Sequence, residues 1–179
     1  MTGPTVATVG TFDGVHLGHQ SLLRRVQDEA SARGAKSVVF VFKEQPRAFI
    51  KPGSQVSYLS GFEERRSILR GSGIDRIVEL EFGTTIQQLS SVEFINALRD
   101  HVGLNALVLG PGAMIGSDRS NVEQLSNTDE LSGIDFISVP AAVVDEQAVS
   151  SSAIRNAITA GDCDTAAKML GRNYSISGV

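Results

Sequence analysis

The sequence contains one cysteine, Cys163. A lone thiol excludes an intrachain disulfide and a zinc knuckle, and such usage suits a reducing cytoplasm. No run of about 18 apolar residues occurs, so nothing reads as a membrane span. The first residues are polar and lead straight into an apolar strand pattern, which predicts no signal peptide. Internal repeats and low-complexity tracts are missing too. Positive charge is also scarce: 16 Lys and Arg stand against 20 Asp and Glu. The resulting net charge of -4 argues against a general nucleic-acid binder, while leaving room for a local basic patch. What is present is a globular composition, 41% hydrophobic and 20% charged over 179 residues. That length fits one ordinary domain, or one domain plus a fragment.

Periodicity divides the chain into alternating strands and helices. Thr5 to Val9 reads as a buried strand, and Leu17 to Arg33 as a helix with Leu22, Leu23, Val26 and Ala30 on its inner stripe. Arg24, Arg25, Asp28, Glu29 and Arg33 form its wet face, and Gly34 ends it. Ser37 to Phe42 is apolar or aromatic almost throughout, as a strand covered on both faces should be. Strand, helix and strand within about forty residues imply a βαβ unit and a parallel sheet. Lys43 to Ser57, with Pro46, Pro52 and Gly53, is expected to be a loop, and Ser60 with Glu63 a capping box opening the next helix. Further strands are expected at Ile74 to Leu80, Leu104 to Leu109 and Ile134 to Val139, with Ala141 to Val144 a short strand or extended loop. Helices are expected after the Ser90/Glu93 capping box through His101, at Asn121 to Leu125, over Ile154 to Ile158, and after Asp162 or Asp164. His101 reads as a surface residue near a helix C-terminus. The fold class is therefore α/β, an open, mostly parallel sheet with helices on both faces. In such sheets ligands sit beyond the carboxyl ends of the strands. Gly10 to His19, Gly110 to Gly116 and Val149 to Arg155 all follow strands at that end.

The stretch Gly10-Thr-Phe-Asp-Gly-Val-His-Leu-Gly-His-Gln20 concentrates the chemistry. A glycine-bearing turn from strand to helix gathers free N–H groups and the positive end of a helix dipole, which suits phosphate. Gly10, Gly14 and Gly18 match neither G-x-G-x-x-G nor G-x-x-x-x-G-K-[ST]. His16 and His19 instead share one side of the first helical turn, where imidazoles can donate to phosphate oxygens. Gly18 lets a triphosphate approach the backbone closely. Asp13 has two readings: a turn former holding the loop, or a group facing a metal. A second constellation is Val149-Ser150-Ser151-Ser152-Ala153-Ile154-Arg155. Its serines cap a helix, or its hydroxyls, first-turn amides and guanidinium face one anion.

The first of these stretches resembles the signature of bacterial FAD synthetases, the FMN adenylyltransferases usually fused to a riboflavin kinase, within the HxGH nucleotidyltransferase superfamily. Their Ser-Ser-[Ser/Thr]-x-Ile-Arg segment is similar to Ser150 to Arg155. The resemblance implies a Rossmann-like fold, ATP and FMN as substrates with Mg²⁺, FAD as product, and no nucleic-acid or membrane partner. It places His16 and His19 on the α- and β-phosphates, and Ser151, Ser152 and Arg155 on the departing pyrophosphate. Gly10, Thr11, Phe12, Gly14, Gly18 and Ser150 would border the nucleotide, and Leu109 and Gly110 would flank adenine. It also divides the chain into a nucleotidyltransferase domain at 1–171 and a tail at 172–179, corresponding to the start of a kinase domain that is not included. Two stretches depart from the family pattern. Gly110-Pro-Gly-Ala-Met-Ile-Gly116 replaces Gly-x-[Asp/Asn]-Phe-x-Phe-Gly, losing a polar group and two rings from the flavin side, with Met114 a candidate wall. Val41 to Arg47 keeps only Phe42, Pro46 and Arg47 of Thr-Phe-Asp-Pro-His-Pro-Arg. A related nucleotidyltransferase with another phosphate acceptor, and a non-catalytic nucleotide- or flavin-binding module, are the alternatives.

Overall fold

Thr5–Gly10 forms the first strand, β1, which leads through a single 3-10 turn (Asp13–Val15) into α1 (Leu17–Ala32) and β2 (Lys36–Phe42). The computed structural model describes residues 3–50 and 57–176, without the side chains of Arg47 and Ile50. After β2 come α2 (Pro46–Ile50), α3 (Phe62–Gly71), β3 (Arg76–Leu80), α4 (Thr84–Gln88) and α5 (Ser91–Val102). Then follow β4 (Leu104–Leu109), α6 (Val122–Ser126), a 3-10 turn (Asp129–Leu131) and β5 (Asp135–Ser138). The two-residue strands β6 (Val143–Val144) and β7 (Gln147–Ala148), then α7 (Ser151–Thr159) and α8 (Cys163–Leu170), complete the described chain.

Five strands pair in the order β3-β2-β1-β4-β5, every neighbour parallel. The chain leaves β1 toward one edge of the sheet and leaves β4 toward the other. A crevice therefore opens between their carboxyl ends. Alternate residues of the strands feed two separate cores. Val6, Val39, Val41 and Val108 pack against Leu22, Leu23, Val26 and Ala30 of α1 and Leu69 of α3. Ala7, Phe40 and Leu107 pack on the opposite face against Phe94, Ile95, Leu98 and Val102 of α5. Each such side chain contributes about 1.5–3 kcal/mol when fully buried, so the sheet is held from both sides. A third, smaller core of Val149, Ile154, Ala166, Met169 and Leu170 seats α7 and α8 against Leu59. That cluster brings the C-terminal helices to the crevice.

Several local expectations change. Lys43 to Ser57 is not all loop, because Pro46 opens the short α2; proline's fixed φ suits the first helical position. Residues 51–56, with Pro52 and Gly53, lie outside the described residues. Ser60 does not cap α3, whose N-cap is Gly61 with no side-chain bond. Its hydroxyl instead accepts from the Gly14 amide at 3.0 Å. Ile74 and Asp75 precede β3 rather than joining it, with Ile74 buried in the α1 core. The α4 helix was not anticipated. Ala141 to Val144 contributes only Val143–Val144, paired antiparallel with Gln147–Ala148 in a separate hairpin. By contrast, Ser90 and Glu93 form both halves of their capping box, and Asp162 rather than Asp164 caps α8.

Candidate active site

A cleft of about 310 Å³ occupies the crevice between β1 and β4. His16 and His19 stand at its floor, one turn apart at the head of α1. Their rings stack with centroids 3.7 Å apart and planes 16° from parallel, and Phe12 backs His19 at 5.1 Å. His16 is the N-cap of α1, and its Nδ1 accepts the His19 amide at 3.3 Å. That bond leaves the His16 proton on Nε2, which makes Nε2 a donor. A side chain at position 18 would press on the His16 ring, since a Cβ there would lie 3.2 Å from it. Burial is the largest influence on both imidazoles. It outweighs the field of Asp13 and lowers His16 to about 4. His19 is pushed well below 6.5, by burial first and by the neighbouring His16 second. Both are thus neutral near pH 7. Nδ1 of His19 is buried with no hydrogen-bond partner among the described residues.

The turn that presents the pair is strained and heavily bonded. Phe12 (φ 51°) and Val15 (φ 39°) adopt left-handed backbone, a conformation that a β-branched residue takes only when its surroundings impose it. Each such residue costs about 1–3 kcal/mol. Opposing that cost, the carbonyls of Thr11, Asp13, Gly14 and Val15 accept from Arg65, Ser151, Arg172 and Gln20, at 2.6, 3.0, 2.8 and 3.0 Å. Hydrogen bonds from charged donors contribute about 1.5–3 kcal/mol each, so the donors suffice to hold the strained turn. Gly14 is required twice over: its φ is 77°, and a Cβ would come within 2.9 Å of Leu59.

Asp13, 1% exposed, is the hub of this arrangement. Oδ1 accepts the amides of Leu59 (2.9 Å) and Ser60 (3.3 Å). Oδ2 accepts from Gln45 and from Arg155. The Asp13 side chain is therefore a holder of the loop rather than an open metal ligand. The amides it holds come from 46 and 47 residues away, not from its own turn.

The expected site residues fall into three groups. Gly10, Thr11, Phe12, His16, Gly18, His19, Gly110 and Ser150 line the cleft. Gly14, Ser151 and Arg155 stand behind it. The guanidinium expected to face a phosphate instead binds Asp13 and the Ser57 carbonyl (2.6 Å), because a buried carboxylate beside it is the stronger attractor. Ser151 spends its hydroxyl on the Asp13 carbonyl, and Ser150 is the residue that caps α7, accepting from Ala153. Leu109, Met114 and Ser152 do not line the cleft: Leu109 lies in the α5 core, while Met114 (47%) and Ser152 are exposed. Arg65 and Arg172 were missed as members of this network. Arg65 had one signal, its place between Phe62 and Leu69 on the buried stripe of α3.

Beyond the cleft, the segment after β4 is pinned at its far end. Asp118 accepts from the amide and hydroxyl of Ser91 at 2.8 and 2.7 Å. Ala113 lines the cleft and also packs on the α5 core beside Phe82. Phe42, Phe82 and Phe49 make an edge-to-face series, with centroids 5.7 and 5.8 Å apart, and Phe49 is 41% exposed. None of these three rings lines the cleft.

Comparison with known proteins agrees with this geometry. The FAD synthetase family pattern matches residues 1–153. A bifunctional riboflavin kinase/FMN adenylyltransferase of Pseudomonas fluorescens is 35% identical over 97% of this chain. The enzyme so named in Haemophilus influenzae is 30% identical over 96%. The chain spans 56% of the length of each of these relatives. A solved structure from Streptococcus pneumoniae, described as a macrolide-efflux protein, superposes with a TM-score of 0.87 at 28% identity, covering 97% of this chain and 57% of that one. Since the match takes in the whole of β1, the histidine turn and the strands that build the crevice, this chain belongs to the FAD synthetase family.

Proposed function

We propose that the chain carries out FMN adenylyl transfer, moving AMP from MgATP to FMN to give FAD and pyrophosphate. The stacked, neutral His16–His19 pair at the head of α1, set in the crevice between β1 and β4, carries this reading. A phosphate oxygen of FMN attacks the α-phosphorus of ATP in line. The bond from that phosphorus to the bridging oxygen breaks, and its electrons leave with pyrophosphate. The nucleophile is already an anion, so no general base is needed. The protein's task is positioning and neutralising charge. His16 donates from Nε2 to the α- or β-phosphate, and His19, stacked on it in the same cleft, meets the same chain of phosphates. A polyanion beside the two rings also raises their proton affinity, so bound MgATP favours the protonated rings at equilibrium with solvent.

Ser150, which lines the cleft at the head of α7, borders the departing pyrophosphate. Ser151 and Arg155 act through Asp13, holding the turn in place. Gly10, Thr11, Phe12, Gly18 and Gly110 give the nucleotide its walls, Pro111 and Ala113 offer apolar surface to the isoalloxazine, and the exposed Phe49 and Met114 are recruited to it only when FMN binds. Magnesium arrives as part of the MgATP substrate. A cytoplasmic enzyme followed in the longer protein by a riboflavin kinase domain, with 172–179 at the junction, completes the proposal. Among the described residues, no helix is long and apolar enough to cross a membrane.

FAD and pyrophosphate formed from FMN and MgATP, separated chromatographically, test the reading. The altered Gly110–Gly116 segment favours one competitor, a transferase using another phosphorylated acceptor. Product from pantetheine phosphate and none from FMN would select that competitor. Tight ATP binding without turnover on any acceptor would select a binding module.

A further inference from the structure

Arg65 is among the largest fully buried side chains of the described residues, 1% exposed. No carboxylate lies within ion-pair distance of it among the described residues. It spends its charge on main-chain oxygens instead: Nη1 donates to Thr11 (2.6 Å) and Phe42 (3.2 Å), and Nη2 to Lys43 (2.6 Å). The rings of Phe62 and Tyr58 cover it at 5.3 and 5.6 Å. Nε has no partner. Burying a cation without a counter-ion is costly, and an apolar residue of similar volume often packs as well or better. Stability alone therefore does not explain a guanidinium here.

The three oxygens do. Thr11 follows β1, Phe42 ends β2 and Lys43 follows it, so their carbonyls lie at the carboxyl end of the parallel sheet, where the cleft opens. Left bare, their dipoles would present negative charge to an arriving polyphosphate. A planar fork spans carbonyls of two adjacent strands at once, which a single apolar or neutral side chain cannot do. It also fixes the entry to the turn whose next residue, Phe12, is left-handed. Nearby, Arg155 and Arg172 pair with Asp13 and Glu64, so of these three guanidinium groups Arg65 is the one with no carboxylate in ion-pair distance among the described residues.

We infer that Arg65 is a positioning residue for adenylyl transfer: it masks the strand-end carbonyls of Thr11, Phe42 and Lys43 and locks the histidine turn, without touching substrate. This rests on the proposed FMN adenylyl transfer. The test compares Arg65→Met and Arg65→Lys with wild type, by steady-state FAD formation well below each variant's unfolding midpoint. Arg65→Met, which fills the volume without charge, is expected to lower kcat at least 30-fold with KM for FMN within about threefold. Arg65→Lys, which keeps a cation but not the fork, is expected to recover part of that loss. Wild-type kcat in folded Arg65→Met, or a loss equal only to the unfolded fraction, overturns the inference. Should Arg65→Met fail to fold, Arg65→Lys decides: a fall of threefold or more at an unchanged midpoint supports it, and wild-type kcat overturns it. If the wild-type chain itself makes no FAD, the adenylyl-transfer reading is what has failed. Arg65 is then judged by MgATP affinity, expected to weaken about tenfold in Arg65→Met and unchanged if the inference is wrong.

Discussion

The two walls of the crevice are built on opposite principles. On the β1 side, backbone atoms do the presenting and side chains from α1, α3, α7 and the segment after α8 hold that backbone still. On the far side Gly110, Pro111 and Ala113 line the cleft, exposed side chains such as Met114 and Phe49 lie outside that lining, and the anchors lie at the margins. A wall that must meet developing charge cannot reorganise during the reaction without losing its advantage. A wall that recognises a flat apolar ring can tolerate exchange of one hydrophobic group for another, because burial is not directional. On this ground the Gly110–Gly116 stretch should tolerate exchange of apolar groups better than Gly10 to His19.

The contrast is most sharply tested by His19→Ala, which should lower kcat for FAD formation by about 10²–10³-fold, the usual effect of deleting one donor to a developing anion. Stopped assays of FAD at saturating FMN and MgATP read this directly. A loss confined to KM for ATP would move the pair from the reacting phosphate to simple binding.

Next in size is Asp13→Asn. It leaves Arg155 without its buried partner and should destabilise the fold by about 3 kcal/mol, measured by urea unfolding. If Asp13 instead faced a metal, the variant would change the Mg²⁺ dependence of the rate with little change in stability.

Acid should act through the same wall. The pKa of His16 is lowered on folding to about 4, so protonation favours the unfolded chain. Stability is fully present above about pH 6.5, the ordinary histidine value, and is lost progressively as pH falls toward 4. His19 shifts in the same direction and adds to the slope. Urea midpoints between pH 7 and 4.5 should fall steeply in the wild type and less in His16→Gln. Saturating MgATP should move both titrations upward in imidazole NMR spectra, since the polyanion favours the charged rings.

The smallest effects belong to the far wall. Phe49→Ala and Met114→Ala should each raise KM for FMN about fivefold, roughly the 1 kcal/mol carried by one aromatic or thioether contact. The kcat and KM for ATP should stay near wild type. A collapse of kcat in either variant would erase the distinction between the walls.

What could be read from the chain follows the range of the interaction. Thr5–Gly10, the α1 stripe and the Ser90/Glu93 box were legible because each is settled within a few residues by periodicity or capping. The histidine pair was legible for the same reason, being one helical turn. Ser60 was misread because its partners, Gly14 and Asp13, are 46 and 47 residues away, and nothing local separates a capping serine from one that holds a distant loop. Arg155 was placed in the right neighbourhood, and its bond to Asp13 was not legible, since the sequence does not show which anion a guanidinium will meet. Arg65 sits among Glu63, Glu64 and Arg66 and reads as one more wet charge until its position on the apolar stripe is noticed.

The hydrogen bond from Arg172 to the Gly14 carbonyl has a practical consequence. A protein engineer cutting after Gly171, where helix α8 stops, would strip one donor from the turn that carries the histidines. A shortened chain should therefore run on through Ser175, whose hydroxyl reaches the Glu64 carboxylate that also steadies Arg172. Attachments made beyond that residue would leave the turn intact.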